Sequence, residues 1–429
     1  MFSFLLTQAA RARRDATNWL EVADKVYHYR RDLLSEAELA ELNQRRAELK
    51  ARIKAKADAA QLKLAVEALE QTLHRTGGRV YPKGTLADNV EFFLAAAIVI
   101  LGIRAFFVQP FKIPTNSMWP TYFGMKHEVF VDPQSAPGPV ARALRLAAFG
   151  ATRREVVAPV DGELRIPFVP GESRLVVPYS LVPGRKWLVV PTTLREYTLF
   201  VGEAPVPVRV PGDFDFDTLV MDTYLDGQYH GRETLEALRK AGRIQETVIA
   251  LNDRGQRKSM RTLMLGTGRK VQRAQVALSF DVLTGDQLFV DRFSYNFFRP
   301  EVGQGFVFRT GNIAGIGQDQ YYIKRLVGTP GDTLEVKEPV LLRNGAPITG
   351  AEAFGLNANR TGLYHGYQAG GLLAAGQKVT VADGQYFALG DNSFNSADGR
   401  VWGFVPAKDA IGRPLFIYYP FTRRWGPAR

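Results

Sequence analysis

The chain has 429 residues, 46% of them hydrophobic, no cysteine and a formal net charge of +12. That length accommodates two or three domains with self-supporting cores, and the lack of cysteine excludes disulfides, thiolate zinc sites and a cysteine nucleophile. The basic residues are interleaved with acids along the whole length without a nucleic-acid reader motif, so the charge reads as a solvated surface and no nucleic-acid partner is expected.

Residues 9–75 are rich in Ala, Glu, Lys, Arg and Leu, and Leu62, Val66, Leu69 and Leu73 recur at the spacing of one helical face. A helical hairpin or short coiled coil is expected there, ended by Thr76-Gly77-Gly78 and Pro82. The apolar run at residues 92–108 follows, interrupted only by Arg104 before Phe106, Phe107 and Val108, and it reads as a transmembrane helix at the short end of the spanning range. A buried core helix is the alternative. Arg75, Arg79 and Lys83 precede this run and few basic residues follow it, so the positive-inside rule expects a cytoplasmic N-terminus. About 90 mostly polar residues come first and no small-residue cleavage site follows, which favours an anchor over a removable targeting peptide. Beyond it, short alternating runs at 174–178, 187–191 and 197–201 read as strands, 233–240 as a helix ending at Gly242, and Asn344-Gly345 as a hairpin turn. The segment after the anchor is therefore expected to be mainly β.

Five histidines are present, at 28, 74, 127, 230 and 365, and none stands in a metal-binding or triad pattern, so neither a metal nor a cofactor is expected. Three other segments carry chemistry. In Pro110-Phe111-Lys112-Ile113-Pro114-Thr115-Asn116-Ser117-Met118-Trp119-Pro120-Thr121, prolines at 114 and 120 disfavour helix and present Ser117 on a stiff loop, where its N–H and the Thr115 hydroxyl suit an oxyanion. A plain surface turn is the other reading. In Tyr321-Tyr322-Ile323-Lys324-Arg325-Leu326-Val327-Gly328, period-two alternation puts Lys324 on a strand face with Tyr322 and Leu326, and burial there would lower its pKa enough to make it a base. A snorkelling lysine would look the same. In Gly390-Asp391-Asn392-Ser393-Phe394-Asn395-Ser396-Ala397-Asp398-Gly399-Arg400, small hydroxyls and the Asp398/Arg400 pair suit the orientation of a buried amine, or an ordinary turn with an ion pair.

Taken together and in this order, these segments resemble the bacterial type I signal peptidases, whose Ser/Lys dyad cuts signal peptides from exported proteins. Gly285-Asp286-Gln287-Leu288-Phe289-Val290, Gly303-Gln304-Gly305-Phe306-Val307-Phe308, Trp402-Gly403-Phe404-Val405-Pro406 and Ile411-Gly412 extend the resemblance. It implies Ser117 as nucleophile, Lys324 as general base, Thr115 in the oxyanion hole, Ser396 against the lysine and Asp398/Arg400 as a structural pair. It further implies shallow apolar pockets for Ala-x-Ala-type residues involving Phe111, Ile113, Met118, Tyr322 and Ile323. The implied partners are exported preproteins, membrane lipid and the secretion translocon. The implied place is the inner (cytoplasmic) membrane of a bacterium, single-pass, with the catalytic domain on the outer, periplasmic side.

The expected architecture is a mainly β catalytic domain of antiparallel sheets with a helical arm, one transmembrane helix and a β-rich insertion. Its parts are a cytoplasmic arm at 1–88, an anchor at 89–109, a catalytic domain at 110–121 and 284–429, and an inserted domain at 122–283 that the resemblance does not cover. The insertion's β character and its basic residues Arg254, Arg257, Lys258, Arg261, Arg269, Lys270 and Arg273 suggest substrate gating or partner docking. The aromatic run Phe293, Tyr295, Phe297 and Phe298 suits either the membrane interface or the core. Competing readings are a Ser/Lys self-cleaving protease, which has no use for an anchor, and a membrane scaffold with a silent site, which has no use for an intact Ser117, Lys324 and Ser396.

Overall fold

A computed structural model describes residues 8–82, 85–132, 135–171, 174–186, 190–227, 229–253 and 256–428, so the expected strand residues 187–189, together with Lys83 and Arg254, lie outside the described set. The chain forms two compact units, Met1–Gly102 and Ile103–Arg429.

The first unit holds three helices rather than a hairpin: α1 (Gln8–Arg30), α2 (Glu36–Lys54) and α3 (Ala59–Thr76). Two caps create the extra break. Ser35 and Glu38 exchange hydrogen bonds in a capping box that starts α2, and Asp58 accepts from Gln61 N at 2.8 Å to start α3. Leu62, Leu69 and Leu73 of α3 pack with Ala16, Ala23 and Val26 of α1 and Leu42 and Leu49 of α2. Helix α4 (Thr85–Phe106) follows. Its apolar stretch, Asp88–Phe106, has the length and composition to cross a membrane and is not buried among the described residues.

In the second unit, β1 (Val108–Lys112) leaves α4, followed by β2 (Lys126–Val129), helix α5 (Pro139–Phe149) and β3 (Thr152–Val157). Strands β4 (Gly162–Pro170), β5 (Leu175–Val176), β6 (Tyr179–Lys186), β7 (Val190–Val201) and β8 (Ala204–Pro211) come next. Helices α6 (Phe216–Tyr224) and α7 (Arg232–Lys240) then lead to β9 (Ile244–Asp253), β10 (Gln256–Val271) and β11 (Val276–Leu283). These build a seven-stranded sheet in the order β6-β7-β4-β10-β9, with β5 beside β4 and β8 beside β7, and a three-stranded sheet β2-β11-β3. Alternation makes their shared core. Leu164, Ile166 and Phe168 of β4 and Tyr197, Leu199 and Val201 of β7 meet Phe216, Leu219 and Val220 of α6.

The remaining strands are β12 (Gln287–Asp291), β13 (Gly305–Arg309), β14 (Tyr321–Gly328), β15 (Thr333–Lys337), β16 (Val340–Arg343), β17 (Ala346–Pro347), β18 (Lys378–Thr380), β19 (Gln385–Leu389), β20 (Val405–Pro406), β21 (Ala410–Tyr419) and β22 (Gly426–Pro427). An eight-stranded antiparallel sheet runs β1-β12-β21-β13-β14-β19-β20 with β22 on β21, and β17-β16-β15-β18 form a smaller sheet. The turn at Asn344-Gly345 has positive φ at both residues, 55° and 82°, as a two-residue hairpin of the primed type requires. The unit is mainly β and antiparallel, as expected.

Candidate active site

Strand β1 runs directly into the proline-flanked loop, where Asn116–Met118 form one turn of 3-10 helix that buries Ser117. The turn is fastened at two points. Asn116 Oδ1 accepts from Gly124 N at 2.9 Å, while Asn392 reaches across with its N–H to Ser117 O at 3.1 Å and its side chain to Asn116 O at 3.0 Å. Lys324 lies mid-strand in β14 between β13 and β19, and registers opposite Phe306. Only 4% of it is exposed, and its Nζ donates to Ser117 Oγ at 2.5 Å.

Burial lowers the Lys324 pKa to about 8, against the pull of the Asp398 carboxylate in the other direction. An ammonium there has given up hydration that the neighbouring carboxylate replaces only in part. A far larger share of the lysine is therefore neutral near pH 7 than of an unperturbed one. The pair thus has the two properties of an activated nucleophile: contact, and a base that can be unprotonated near neutrality.

Asp398 and Arg400 form a buried bidentate pair, with Arg400 Nε and Nη2 each donating to Asp398 at 2.9 Å. The pair organises its loop. Asp398 also accepts from Gly390 N at 3.0 Å, and Arg400 holds Ser393 O at 2.7 Å and Ser393 Oγ at 2.8 Å. The Ser396 hydroxyl, expected against Lys324, is buried and makes no hydrogen bond among the described residues. It lies instead over Gly390, where a Cβ would come within 2.2 Å of Ser396 Oγ and 2.5 Å of Ser117 O. Only a residue without a side chain lets the two loops close to this distance.

A cleft of about 470 Å³ opens over the pair, in the range of ligand sites. Phe111, Ile113, Thr115, Tyr322 and Ile323 line it with Ser117 and Lys324. Met118 does not. It is fully buried with Leu288, Val290 and Ile417, because the 3-10 turn points successive side chains in different directions and sends Met118 into the core beneath Ser117. Met125 lines the cleft in a way the sequence reading missed.

A second buried pair was also missed. Arg325, next to the lysine, donates to both oxygens of Asp391 at 2.7 and 2.6 Å and to Gly303 O at 2.6 Å, and Thr121 donates to the same carboxylate at 2.5 Å. It ties β14, the nucleophile loop and the Gly390 loop together from beneath. The signal available was an arginine beside Lys324 on a strand whose other residues are aromatic, aliphatic or glycine, since a buried guanidinium must find a partner. Of the aromatic run, Phe293, Phe297 and Phe298 are exposed, Phe293 stacks on Phe107 at 5.2 Å, and Tyr295 packs inward with its hydroxyl on Gln304.

Residues 266–419 match the family described as signal peptidase, peptidase S26, a span that contains Lys324, Ser396, Asp398 and Arg400 and begins after Ser117. Among relatives, the probable signal peptidase I-1 of Synechocystis is 37% identical over 33% of this chain and 66% of its own length. Signal peptidase I of Bacillus licheniformis is 35% identical over 27% of this chain and 61% of its own, so the alignments span under two thirds of these relatives. A solved signal peptidase I from Enterococcus faecalis is 25% identical, covering 27% of this chain and 97% of that one at a TM-score of 0.22. The resemblance to type I signal peptidases drawn from the motif boxes is thus found again by comparison of the sequences.

Proposed function

We propose that this chain, a relative of the type I signal peptidases in its C-terminal part, is a membrane-anchored serine endopeptidase that removes N-terminal signal peptides from exported preproteins. The observation that carries this reading is the buried hydrogen bond between Lys324 and Ser117 in the cleft. Neutral Lys324 takes the Ser117 proton as Oγ attacks the scissile carbonyl, and the Ser117 N–H with the Thr115 hydroxyl stabilises the oxyanion. The resulting lysine ammonium protonates the leaving amine, which departs with the processed protein. Lys324 then takes a proton from water, the hydroxide cleaves the acyl-enzyme, and the proton returns to Ser117 Oγ.

Phe111, Ile113, Tyr322 and Ile323 offer apolar surface to small residues of an Ala-x-Ala site. Asp398 and Arg400 hold the Gly390 loop against the nucleophile turn. In this reading residues 89–109 anchor the protein in the inner membrane, 1–88 face the cytoplasm, 110–121 and 284–429 form the catalytic domain on the outer side, and 122–283 are an inserted domain. Exposed Phe293, Phe297 and Phe298 would rest at the lipid interface, with membrane lipid and the translocon as neighbours.

The test is co-expression with a preprotein carrying an Ala-x-Ala site. Wild type is expected to yield the mature N-terminus, and Ser117→Ala and Lys324→Ala to yield none. Processing that survives either substitution overturns the dyad, and a wild type that processes nothing overturns the activity.

A further inference from the structure

Four charged residues of the cleft come from the inserted segment: Arg174 ahead of β5, Arg195 on β7, and Asp213 and Asp215 in the turn between β8 and α6. The insertion is therefore a wall of the same cavity that holds Ser117 and Lys324, and it brings four charges to a cleft whose other charged lining is Lys112 and Lys324.

Two of the four are already committed to building that wall. Arg174 pairs with Asp217 at 2.6 Å and Asp215 at 3.4 Å. Asp217 is buried and accepts from Val177 N at 2.9 Å, and Asp215 caps α6 by accepting from Thr218 N at 3.2 Å. These contacts lock β5, the turn and α6 into one body. Arg195 and Asp213 make no ion pair among the described residues, and Asp213 is exposed. Arg195 is nonetheless held in place, with its guanidinium 4.4 Å over the Tyr179 ring and Nη1 donating to Phe214 O at 3.4 Å, the residue beside Asp213. A positioned cation and a neighbouring open carboxylate on a rigid wall facing a peptide cleft select partners by charge more than they add raw affinity.

We propose that the inserted segment is a specificity wall of the cleft, in which Asp213 engages a basic side chain and Arg195 an acidic side chain of the polypeptide flanking the scissile bond. This rests on the Ser117/Lys324 reading. It narrows the substrate class from small residues before the cut to small residues before the cut with charge of matched sign near it.

The experiment uses the full-length protein in detergent micelles and preproteins that share one Ala-x-Ala site but carry Ala, Lys or Glu at successive positions on either side of it. For each, kcat/KM is expressed relative to the Ala substrate. Asp213→Asn is expected to lower the Lys-to-Ala ratio roughly three- to fivefold at the position it contacts, and Arg195→Gln to lower the Glu-to-Ala ratio similarly, as solvent-accessible charge pairs allow. Ratios that stay within about twofold of wild type in both variants, with circular dichroism unchanged, overturn the wall's role while leaving the protease intact. Cleavage that persists in Ser117→Ala overturns the underlying reading and the inference with it.

Discussion

At the scale of single residues the chemistry turns on one buried lysine. Its pKa is pushed down by lost hydration, and in the proposed mechanism the neutral amine is the working form, so the rate should rise with pH until the lysine is deprotonated. Processing is expected to increase about tenfold per unit below neutrality and to level off above about pH 8, read as kcat/KM against pH on a neutral-flanked substrate. A profile flat from pH 6 to 9 would remove Lys324 from the role of base. Ser117 and Lys324, which meet in a buried hydrogen bond, stood out in the sequence because each stands in a run with unusual local demands: a serine between helix-disfavouring prolines, and a lysine where a strand should be apolar. Where one residue points was less legible. Met118 sits next to Ser117 in sequence and was expected in the cleft, yet a 3-10 turn rotates adjacent side chains apart and buries it.

Among elements, the site stays assembled through two buried ion pairs that tie loops to strands. Arg325 and Asp391 are almost wholly inaccessible, and the pair joins β14 to the loop whose backbone touches the nucleophile turn. Removing the acid leaves a buried guanidinium without its counter-charge, which costs about 3–5 kcal/mol where such pairs have been broken. Asp391→Ala is therefore expected to lower the denaturation midpoint strongly and to abolish processing, measured by urea unfolding alongside the processing assay. A variant with wild-type stability would show that the pair is not what holds the loops. The strands themselves were largely legible through alternation and turn signals. The pairs were not, since Arg325 and Asp391 lie 66 positions apart and nothing local in either names the other. The third helix of the arm was missed for a different reason. Its cause was written in the capping residues Ser35, Glu38 and Asp58, but helix-favouring composition on both sides hid the break.

For the whole molecule, α4 exposes an apolar stretch of the length and composition that crosses a membrane, and the proposed function uses it as the anchor. Replacing Ile98, Ile100 and Leu101 by lysine adds about 2.5–3.5 kcal/mol of insertion cost for each position near the helix centre. The triple variant is expected to move from the membrane to the soluble fraction on cell fractionation, with the unit that begins at Ile103 still folded. Retention in the membrane would mean that another surface anchors the chain.

The strand pairs at the neck of the insertion also bear on how the molecule forms. Lys126 registers against Leu283, and Val108 against Asp291, so the polypeptide leaves the catalytic sheet and returns to it at one place after some 160 residues. An unstructured excursion of that length would charge the full entropy of closing a long loop before β1 and β12 could meet. With β2 and β11 already side by side, the remaining loop is short. Refolding should therefore be ordered: the excursion collapses first, and the nucleophile and its base, 207 positions apart, meet only afterwards. In the proposed protease, a newly made chain would therefore complete its insertion before Ser117 and Lys324 meet and cleavage becomes possible.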